Sequence, residues 1–207
     1  MGLEKNGVYW LTPSGMKNTK NLTSLTRDIL NGGARMVQYR EKVLNAEEKY
    51  HQALQLKKLC AAYRVPFIIN DCIELTRAVD ADGIHIGKSD SSLKLARKAL
   101  GPKKIIGVSC YNNLDEAEKM VHAGADYIAF GSFHASITKP DAPICSTRTL
   151  KEAAKKFSIP IVAIGGINLG NASNLISHGA THVAIIDAIS SAACPYIATK
   201  RLSGLFY

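Results

Sequence analysis

Eight short apolar segments recur along the chain at a nearly constant spacing. They occupy residues 8–11, 36–39, 67–69, 83–86, 105–108, 127–130, 161–164 and 182–186. Most are rich in Ile and Val and alternate little with polar residues, which is typical of strands buried on both faces of a parallel sheet. Their starts lie roughly 25 residues apart, about the length of one compact strand–helix unit.

Helical patterns fill the intervals between these segments. We predict helices over 21–30, 46–63, 91–100, 114–123 and 169–178, several of which end at a glycine. Alternating strands and helices form either a doubly wound sheet or a closed barrel, and eight repeats favour the barrel. The chain shows no low-complexity stretch and no flexible linker. We therefore predict an α/β fold, a single-domain (β/α)8 TIM barrel over residues 1–207.

Composition narrows the class of protein further. Hydrophobic residues make up 46% of the 207 residues, which is too many for a disordered chain. No apolar run approaches the ~18 residues that cross a membrane, and the first residues lack a signal-peptide pattern. We therefore expect a cytoplasmic protein. The five cysteines are odd in number and lack CxxC spacing, which argues against a disulfide framework or a zinc site.

The formal net charge of +9 calls for an anionic partner or a solubility role. Nucleic acid is disfavoured, because no Lys/Arg tract is interleaved with aromatic residues and no recognition module is visible. Small phosphorylated substrates fit better if some basic residues converge on one site. We expect such substrates, no nucleic acid and no membrane partner, and a homodimer is left open.

Polar residues follow the second strand where a barrel places its active site, at the carboxyl ends of the strands. Strand alternation sends Gln38, Arg40 and Lys42 to one side and Tyr39 and Glu41 to the other. Two cations and an amide on one face favour an anion-binding cluster. The alternative is a charged strand exit with a surface salt bridge.

Carboxylates follow the next two strands. Asp71 comes after Asn70 at the end of the third strand, and Asp90 follows the fourth. Neighbouring carboxylates suit Mg²⁺, which binds through one or two carboxylates and substrate phosphates. Each aspartate alone could instead be a helix N-cap.

Further hydroxyls and a lysine follow the fifth and sixth strands. Ser109 ends the fifth, and the long polar stretch 132–147 carries Ser136, Thr138 and Lys139. Loops of this length in a compact barrel are usually functional. Two hydroxyls beside a lysine suit pyrophosphate oxygens, although a solvated loop has the same composition.

Glycines follow the seventh strand. Gly165 and Gly166 precede a predicted helix, where backbone N–H groups can approach a phosphate, and phosphate sites recur after strands seven and eight of such barrels. His85 lies inside the fourth segment, and we expect a packed core or rim histidine rather than a catalytic base. Cys110 is expected to be a small buried residue rather than a nucleophile.

Taken together and in order, these motifs resemble the thiamine-phosphate synthase (thiamine-phosphate pyrophosphorylase) family. The carriers are VQYREK at 37–42, IINDCIELTRAVDADGIHIGKSD at 68–90, IIGVS at 105–109, GADYIAFGSF at 124–133, TK at 138–139, IPIVAIGGI at 159–167 and AIS at 188–190. The resemblance covers about 8–202. It implies a transferase that joins hydroxymethylpyrimidine pyrophosphate to thiazole phosphate and releases thiamine phosphate and pyrophosphate.

The resemblance also implies roles for the residues above, with Mg²⁺ as cofactor. Asp71 and Asp90 resemble the metal ligands. The implied substrate contacts are Gln38, Arg40, Lys42, Asn70, Ser109, Ser136, Thr138, Lys139, Gly166, Ile186 and Asp187. Of these, Arg40, Ser109 and Lys139 are implied to be catalytic, because the family is described as ionising the pyrimidine carbon–oxygen bond, a step that needs charge stabilisation.

Three departures from the family pattern leave alternatives open. Tyr111 stands where the family has His, Asp187 stands where it has Ser, and 131–139 reads GSFHASITK. A carboxylate beside a phosphate would repel it. A thiazole tautomerase of the same fold is one alternative, although that enzyme needs a His near 109–111, and a non-catalytic ligand-binding paralogue is another.

Overall fold

The computed structural model describes residues 3, 6–87, 92–135 and 143–207, and in these ranges strands and helices alternate along the chain. The strands are β1 (Gly7–Leu11), β2 (Met36–Tyr39), β3 (Phe67–Asn70), β4 (Gly83–Ile86), β5 (Ile105–Tyr111), β6 (Tyr127–Phe130), β7 (Ile161–Ile164) and β8 (His182–Ile185). The helices are α1 (Thr19–Asn31), α2 (Ala46–Ala62), α3 (Ile73–Ala78), α4 (Leu93–Leu100), α5 (Leu114–His122), α6 (Thr147–Lys156), α7 (Ala172–Ser177), α8 (Asp187–Ser190) and α9 (Pro195–Ser203), followed by a short 3-10 turn (Gly204–Phe206).

Closure of the sheet distinguishes a barrel from a doubly wound fold. Each strand pairs in parallel with the next one in sequence, and β8 pairs with β1 through the register Gly7↔His182 to Trp10↔Ile185. The predicted (β/α)8 barrel is therefore confirmed. The predicted strands agree closely with those observed, except that β5 continues three residues further, to Tyr111.

Asparagine side chains begin several of the helices. Asn18, Asn45 and Asn113 each accept a hydrogen bond from a backbone N–H in the first turn, and Asn45 forms a reciprocal capping box with Glu48. The predicted helix over 169–178 is shorter in the structure, because 168–171 form a turn before Ala172. Within the described ranges, no helix is long and apolar enough to cross a membrane.

Strand alternation separates two apolar clusters. The larger one fills the space between the strands and the helices. The smaller one occupies the barrel interior and consists of Tyr9, Leu11, Met36, Ile68, Ile105, Tyr127, Ala129, Val162 and Ala184. Because alternate residues of each strand point inward, the next inward positions toward the carboxyl ends form the floor and walls of a cavity.

Tyr127 crosses the interior because β5 has a glycine opposite it. Gly107 pairs with Tyr127 in the strand register, and a Cβ at Gly107 would lie 1.8 Å from Tyr127 Cζ. The phenol ring occupies the volume that a side chain at 107 would fill. Its hydroxyl consequently reaches the far side of the barrel, where Tyr9 Oη lies 2.9 Å away.

Glu41 holds the loop that leaves β2. Its side chain is turned away from the barrel mouth and is only 9% exposed. The carboxylate accepts hydrogen bonds from Gly15 N at 2.7 Å, Val43 N at 2.6 Å and Ser14 Oγ at 2.9 Å. Burial alone would raise the pKa of Glu41, but these donors outweigh it and lower the pKa below its ordinary value.

Replacing this carboxylate should destabilise the fold in a pH-dependent way. Glu41→Gln should lower the free energy of unfolding by about 2 kcal/mol at neutral pH, because one acceptor oxygen becomes an amide donor facing N–H groups. The folded-state pKa is lowered, so the stabilisation is complete above the unfolded-state pKa of about 4.3 and disappears as pH falls through the folded-state pKa. Urea unfolding of both proteins across acidic pH measures this.

Glu47→Gln is the matched control, since the Glu47 side chain is 86% exposed. It should change stability little at any pH. Equal stability losses for the two variants would contradict the role given to Glu41.

Candidate active site

A cavity of about 330 Å³ opens at the carboxyl ends of the strands. It lies above the interior cluster, and all eight strands or the loops that follow them contribute to its lining. The lining residues are Tyr9, Leu11, Gln38, Arg40, Asn70, His85, Ser109, Tyr111, Ala129, Gly131, Ser132, Ala135, Val162, Ile164, Gly165, Gly166, Ile167, Asn168, Ala184, Ile185, Ile186, Asp187 and Ala188. This end of the barrel is where the sequence predicts the site.

The cavity has two chemically different walls. Strands β2 to β5 contribute the polar side chains Gln38, Asn70, His85 and Ser109. Strands β6 to β8 and β1 contribute mainly aliphatic residues, which are Leu11, Ala129, Val162, Ile164 and Ala184. A planar ring can rest against the aliphatic wall while its polar edge meets the opposite wall.

Arg40 is the cation that the structure places in the cavity lining. Its backbone is fixed by Thr12, a buried residue whose hydroxyl accepts from Arg40 N at 2.9 Å and donates to Arg40 O at 3.2 Å. The guanidinium forms no ion pair with any residue in the described ranges. A cation at the mouth with no ion-pair partner in these ranges suits an anionic ligand.

Lys42 does not line the cavity, unlike Gln38 and Arg40 on the same predicted face. Its Nζ donates to the Asp71 carboxylate, which also accepts from Asn70 Nδ2 at 2.6 Å. Asp71 adopts a left-handed backbone with φ +56°, and Cys72, not Asp71, caps α3. The structure therefore brings Asn70, Asp71 and Lys42 together, and the helix-cap alternative for Asp71 is wrong.

Four predicted site residues lie outside the described residues. They are Asp90 after β4 and Ser136, Thr138 and Lys139 after β6. The described ranges contain no group of three or more His, Cys, Asp or Glu side chains able to hold a metal. The proposed pairing of Asp71 with Asp90 therefore stays a prediction.

Hydrogen bonds link five side chains across the cavity floor. Gln38 Nε2 donates to Tyr9 Oη at 2.6 Å, and Tyr9 Oη lies 2.9 Å from Tyr127 Oη. Tyr127 Oη lies 2.9 Å from His85 Nδ1, and His85 Nε2 lies 2.8 Å from Ser109 Oγ. Burial raises the pKa of both phenols, so both stay protonated.

The sequence analysis did not identify Tyr9 and Tyr127 as members of this hydrogen-bond network. It treated Tyr9 and Tyr127 as part of apolar strands, although both stand at inward positions of their strands. The alternation of side chains along β1 places Tyr9 and Leu11 on the same face, and this pattern could have predicted that Tyr9 points into the barrel. His85 is a hydrogen-bonded histidine of the cavity wall, in keeping with the predicted packed rim residue.

Backbone geometry after β7 requires glycine. Gly165 and Gly166 have φ values of +103° and +59°, and a Cβ at Gly166 would lie 2.4 Å from Ala135 O. Gly166 lines the cavity, as do Ile186 and Asp187 after the neighbouring strand β8. The helix predicted over 169–178 begins only at Ala172.

Comparison with known proteins agrees with this geometry. Residues 8–189 match the family model described as thiamine monophosphate synthase. This chain belongs to that family. A thiamine-phosphate synthase of Nitrosomonas eutropha is 44% identical over 204 residues, covering 99% of this chain and 96% of that protein. The one from Nitrosospira multiformis is 46% identical over 203 residues, covering 98% and 86%.

A solved structure of the same family has the same fold. The thiamine phosphate pyrophosphorylase from Pyrococcus furiosus superposes with a TM-score of 0.88 at 32% identity, covering 98% of this chain and 96% of that one. The family resemblance and the barrel predicted from the sequence are both confirmed.

Two of the departures from the family pattern lie at the cavity. Tyr111 has φ +54°, is 41% exposed and lines the cavity edge. Asp187 lines the cavity at the start of α8. Cys110 beside Tyr111 is fully buried, and burial raises the pKa of its thiol to about 12, so it is not a nucleophile at neutral pH.

Proposed function

We propose that this chain joins hydroxymethylpyrimidine pyrophosphate to thiazole phosphate, forming thiamine phosphate and releasing pyrophosphate. Membership of the thiamine monophosphate synthase family carries the proposal. The cavity supports it, because its polar and aliphatic walls suit an aromatic ring and Arg40 suits an anion.

The arrangement of side chains suits a reaction that begins with departure of pyrophosphate. Such a step needs positive charge near the leaving oxygens more than a nucleophile or base. Arg40 provides a cation in the cavity lining, and Ser109 provides a hydroxyl on the polar wall. We assign both to the leaving group, and Lys139 is proposed to join them from outside the described ranges.

Mg²⁺ is proposed as the cofactor, held by Asp71 and Asp90. The donor set fits: a carboxylate at the strand ends beside an amide, next to cations that can hold phosphate oxygens. When bound, the ion would withdraw charge from the pyrophosphate oxygens. Lys42, which pairs with Asp71 in this structure, is proposed to contact the same pyrophosphate.

The second substrate is proposed to place its phosphate near Gly166 and Ile186. These residues follow the adjacent strands β7 and β8, and both line the cavity. Asp187 lies beside them, and its charge opposes the phosphate. We therefore expect weaker binding of thiazole phosphate than a serine at 187 would allow.

We also propose that the protein works in the cytoplasm on small phosphorylated substrates, without nucleic acid or membrane. All five cysteines are free, and Cys60, Cys110 and Cys145 are buried, as is common in reducing compartments. A homodimer stays a prediction from the sequence.

The product assay tests the proposed function directly. Purified protein with both phosphorylated substrates and Mg²⁺ should form thiamine phosphate, detected by chromatography, and release one pyrophosphate per product. Omitting either substrate, or adding a chelator, should abolish it. Binding of the ligands without product would overturn the transferase and favour a non-catalytic paralogue, while isomerisation of the thiazole phosphate without coupling would favour a tautomerase.

Asp71→Asn should lower kcat/KM by about 100-fold or more, because an amide is a poor Mg²⁺ ligand. Asparagine tolerates the left-handed backbone at this position, so the fold should persist. Activity is measured across a Mg²⁺ titration, with circular dichroism as the fold check.

Asp80→Asn serves as the matched control. Asp80 also has a left-handed backbone, with φ +49°, and also pairs with a lysine, Lys104, but it lies between α3 and β4, at the amino ends of the strands and away from the cavity. It should retain normal activity and Mg²⁺ dependence. A normal Mg²⁺ response in Asp71→Asn would contradict the metal-ligand assignment.

Asp187→Ser should lower the apparent KM for thiazole phosphate by about fivefold, since it removes a repulsion of about 1 kcal/mol. Asp187→Glu keeps the charge and should leave the KM high. The constant is measured at saturating pyrimidine substrate. Equal KM values for all three proteins would show that the charge at 187 does not act on the phosphate.

A further inference from the structure

The hydrogen-bond chain on the cavity floor has a direction, and Gln38 sets it. The amide nitrogen of Gln38 lies 2.6 Å from Tyr9 Oη. An amide NH₂ group can only donate, so Tyr9 accepts this bond. Gln38 is 2% exposed and Tyr9 1% exposed, which keeps competing water away from the contact.

The donor in each of the next hydrogen bonds follows from the one before it. Tyr9 has a single proton, and its other hydrogen-bond partner is Tyr127 Oη at 2.9 Å, so Tyr9 donates to Tyr127. Tyr127 is fully buried and must place its own proton on His85 Nδ1, 2.9 Å away. A buried hydroxyl without an acceptor would be costly.

The direction determines the tautomer of His85. Because Nδ1 accepts from Tyr127, the proton of the neutral ring is on Nε2. Nε2 lies 2.8 Å from Ser109 Oγ, so the ring donates to Ser109. The His85 ring also stacks on the Tyr127 ring, with centroids 5.5 Å apart and an interplanar angle of 21°.

Ser109 is the end of the chain and faces the cavity. Since its oxygen accepts from His85, its own proton is directed away from the ring and toward the cavity. A hydroxyl oriented in this way can donate to a pyrophosphate oxygen. The hydrogen bond becomes stronger as negative charge develops on that oxygen.

We propose that Gln38, through Tyr9 and Tyr127, fixes His85 in the Nε2–H tautomer and thereby makes Ser109 an obligatory hydrogen-bond donor to the substrate. Tyr9, Tyr127 and His85 are positioning residues in this scheme. The donor role of Ser109 toward pyrophosphate rests on the proposed function, whereas the direction of the chain does not.

The first test is the tautomer of His85 in the protein without substrate. Ring nitrogen chemical shifts in ¹⁵N-histidine-labelled protein, measured where the imidazole is neutral, should show the His85 proton on Nε2. A proton on Nδ1 in the native protein would overturn the proposal. This outcome is independent of whether the protein makes thiamine phosphate.

A second test reverses the donor at the start of the chain. In Gln38→Glu, measured at alkaline pH where the introduced carboxyl is ionised, Tyr9 must donate to the carboxylate. Each later bond then reverses, and the His85 proton should move to Nδ1. In the Tyr9→Phe background the link is cut, so Gln38→Glu should leave the tautomer unchanged. An unchanged tautomer in the single variant, or a shift that persists without the Tyr9 hydroxyl, would overturn the relay.

Kinetics test the consequence at Ser109. Ser109→Ala should lower kcat/KM by about tenfold or more in the native background, the usual cost of a lost charge-assisted hydrogen bond. In the Gln38→Glu background, where Ser109 donates to His85 and no longer to the substrate, the same change should cost less than about twofold. Equal losses in both backgrounds would show that Ser109 donates whatever the direction of the chain. Absence of product in the native protein would instead count against the proposed function alone.

Discussion

Closure of the sheet by the β1–β8 pairing is the constraint on which the rest of the structure depends. Once eight parallel strands form a closed ring, alternate side chains must share a narrow interior, and only a few large ones fit. Here two phenols, Tyr9 and Tyr127, occupy much of that space. The cavity above them therefore has polar atoms in its floor as well as in one of its walls.

The division of the cavity follows from which strands carry polar residues at the last inward position. Strands β2 to β5 end in amides, an imidazole and a hydroxyl, and strands β6 to β8 end in aliphatic groups and glycines. A ring and a charged group can thus be bound on different walls of one small space. Such separation suits a reaction in which an anion departs from an aromatic methylene, because the anion is stabilised on one side while the ring is held by the other.

The sequence predicted the fold well for a physical reason. Strands buried on both faces appear as continuous apolar segments, and residues such as Ile161 and Val162 leave little ambiguity. Short elements were harder: no helix was predicted over 73–78 or 195–203, because six to nine residues give a weak periodic signal and α3 depends on a cysteine cap. The turn before Ala172 depends on Asn168 and Asn171 side chains, whose local bonds compete with helix formation.

The site was predicted in part. Gln38, Arg40, Asn70, Ser109, Gly166, Ile186 and Asp187 all line the cavity as expected of residues at strand ends. Lys42 was predicted to share a face with Arg40 but does not line the cavity, because its long side chain reaches the Asp71 carboxylate instead. The contact between Tyr9 and Tyr127 joins residues 118 positions apart, and which inward side chains meet across a barrel depends on strand stagger, which apolar periodicity does not contain.

The glycine opposite Tyr127 has a consequence for how this sequence can vary. With only 1.8 Å between a Cβ at 107 and the phenol ring, any larger residue at 107 requires a smaller one at 127. A smaller residue there would lose the hydroxyl that joins Tyr9 to His85. Position 107 is therefore physically coupled to position 127, and a larger residue at 107 is tolerated only together with a smaller one at 127, a double change that also gives up the polar floor.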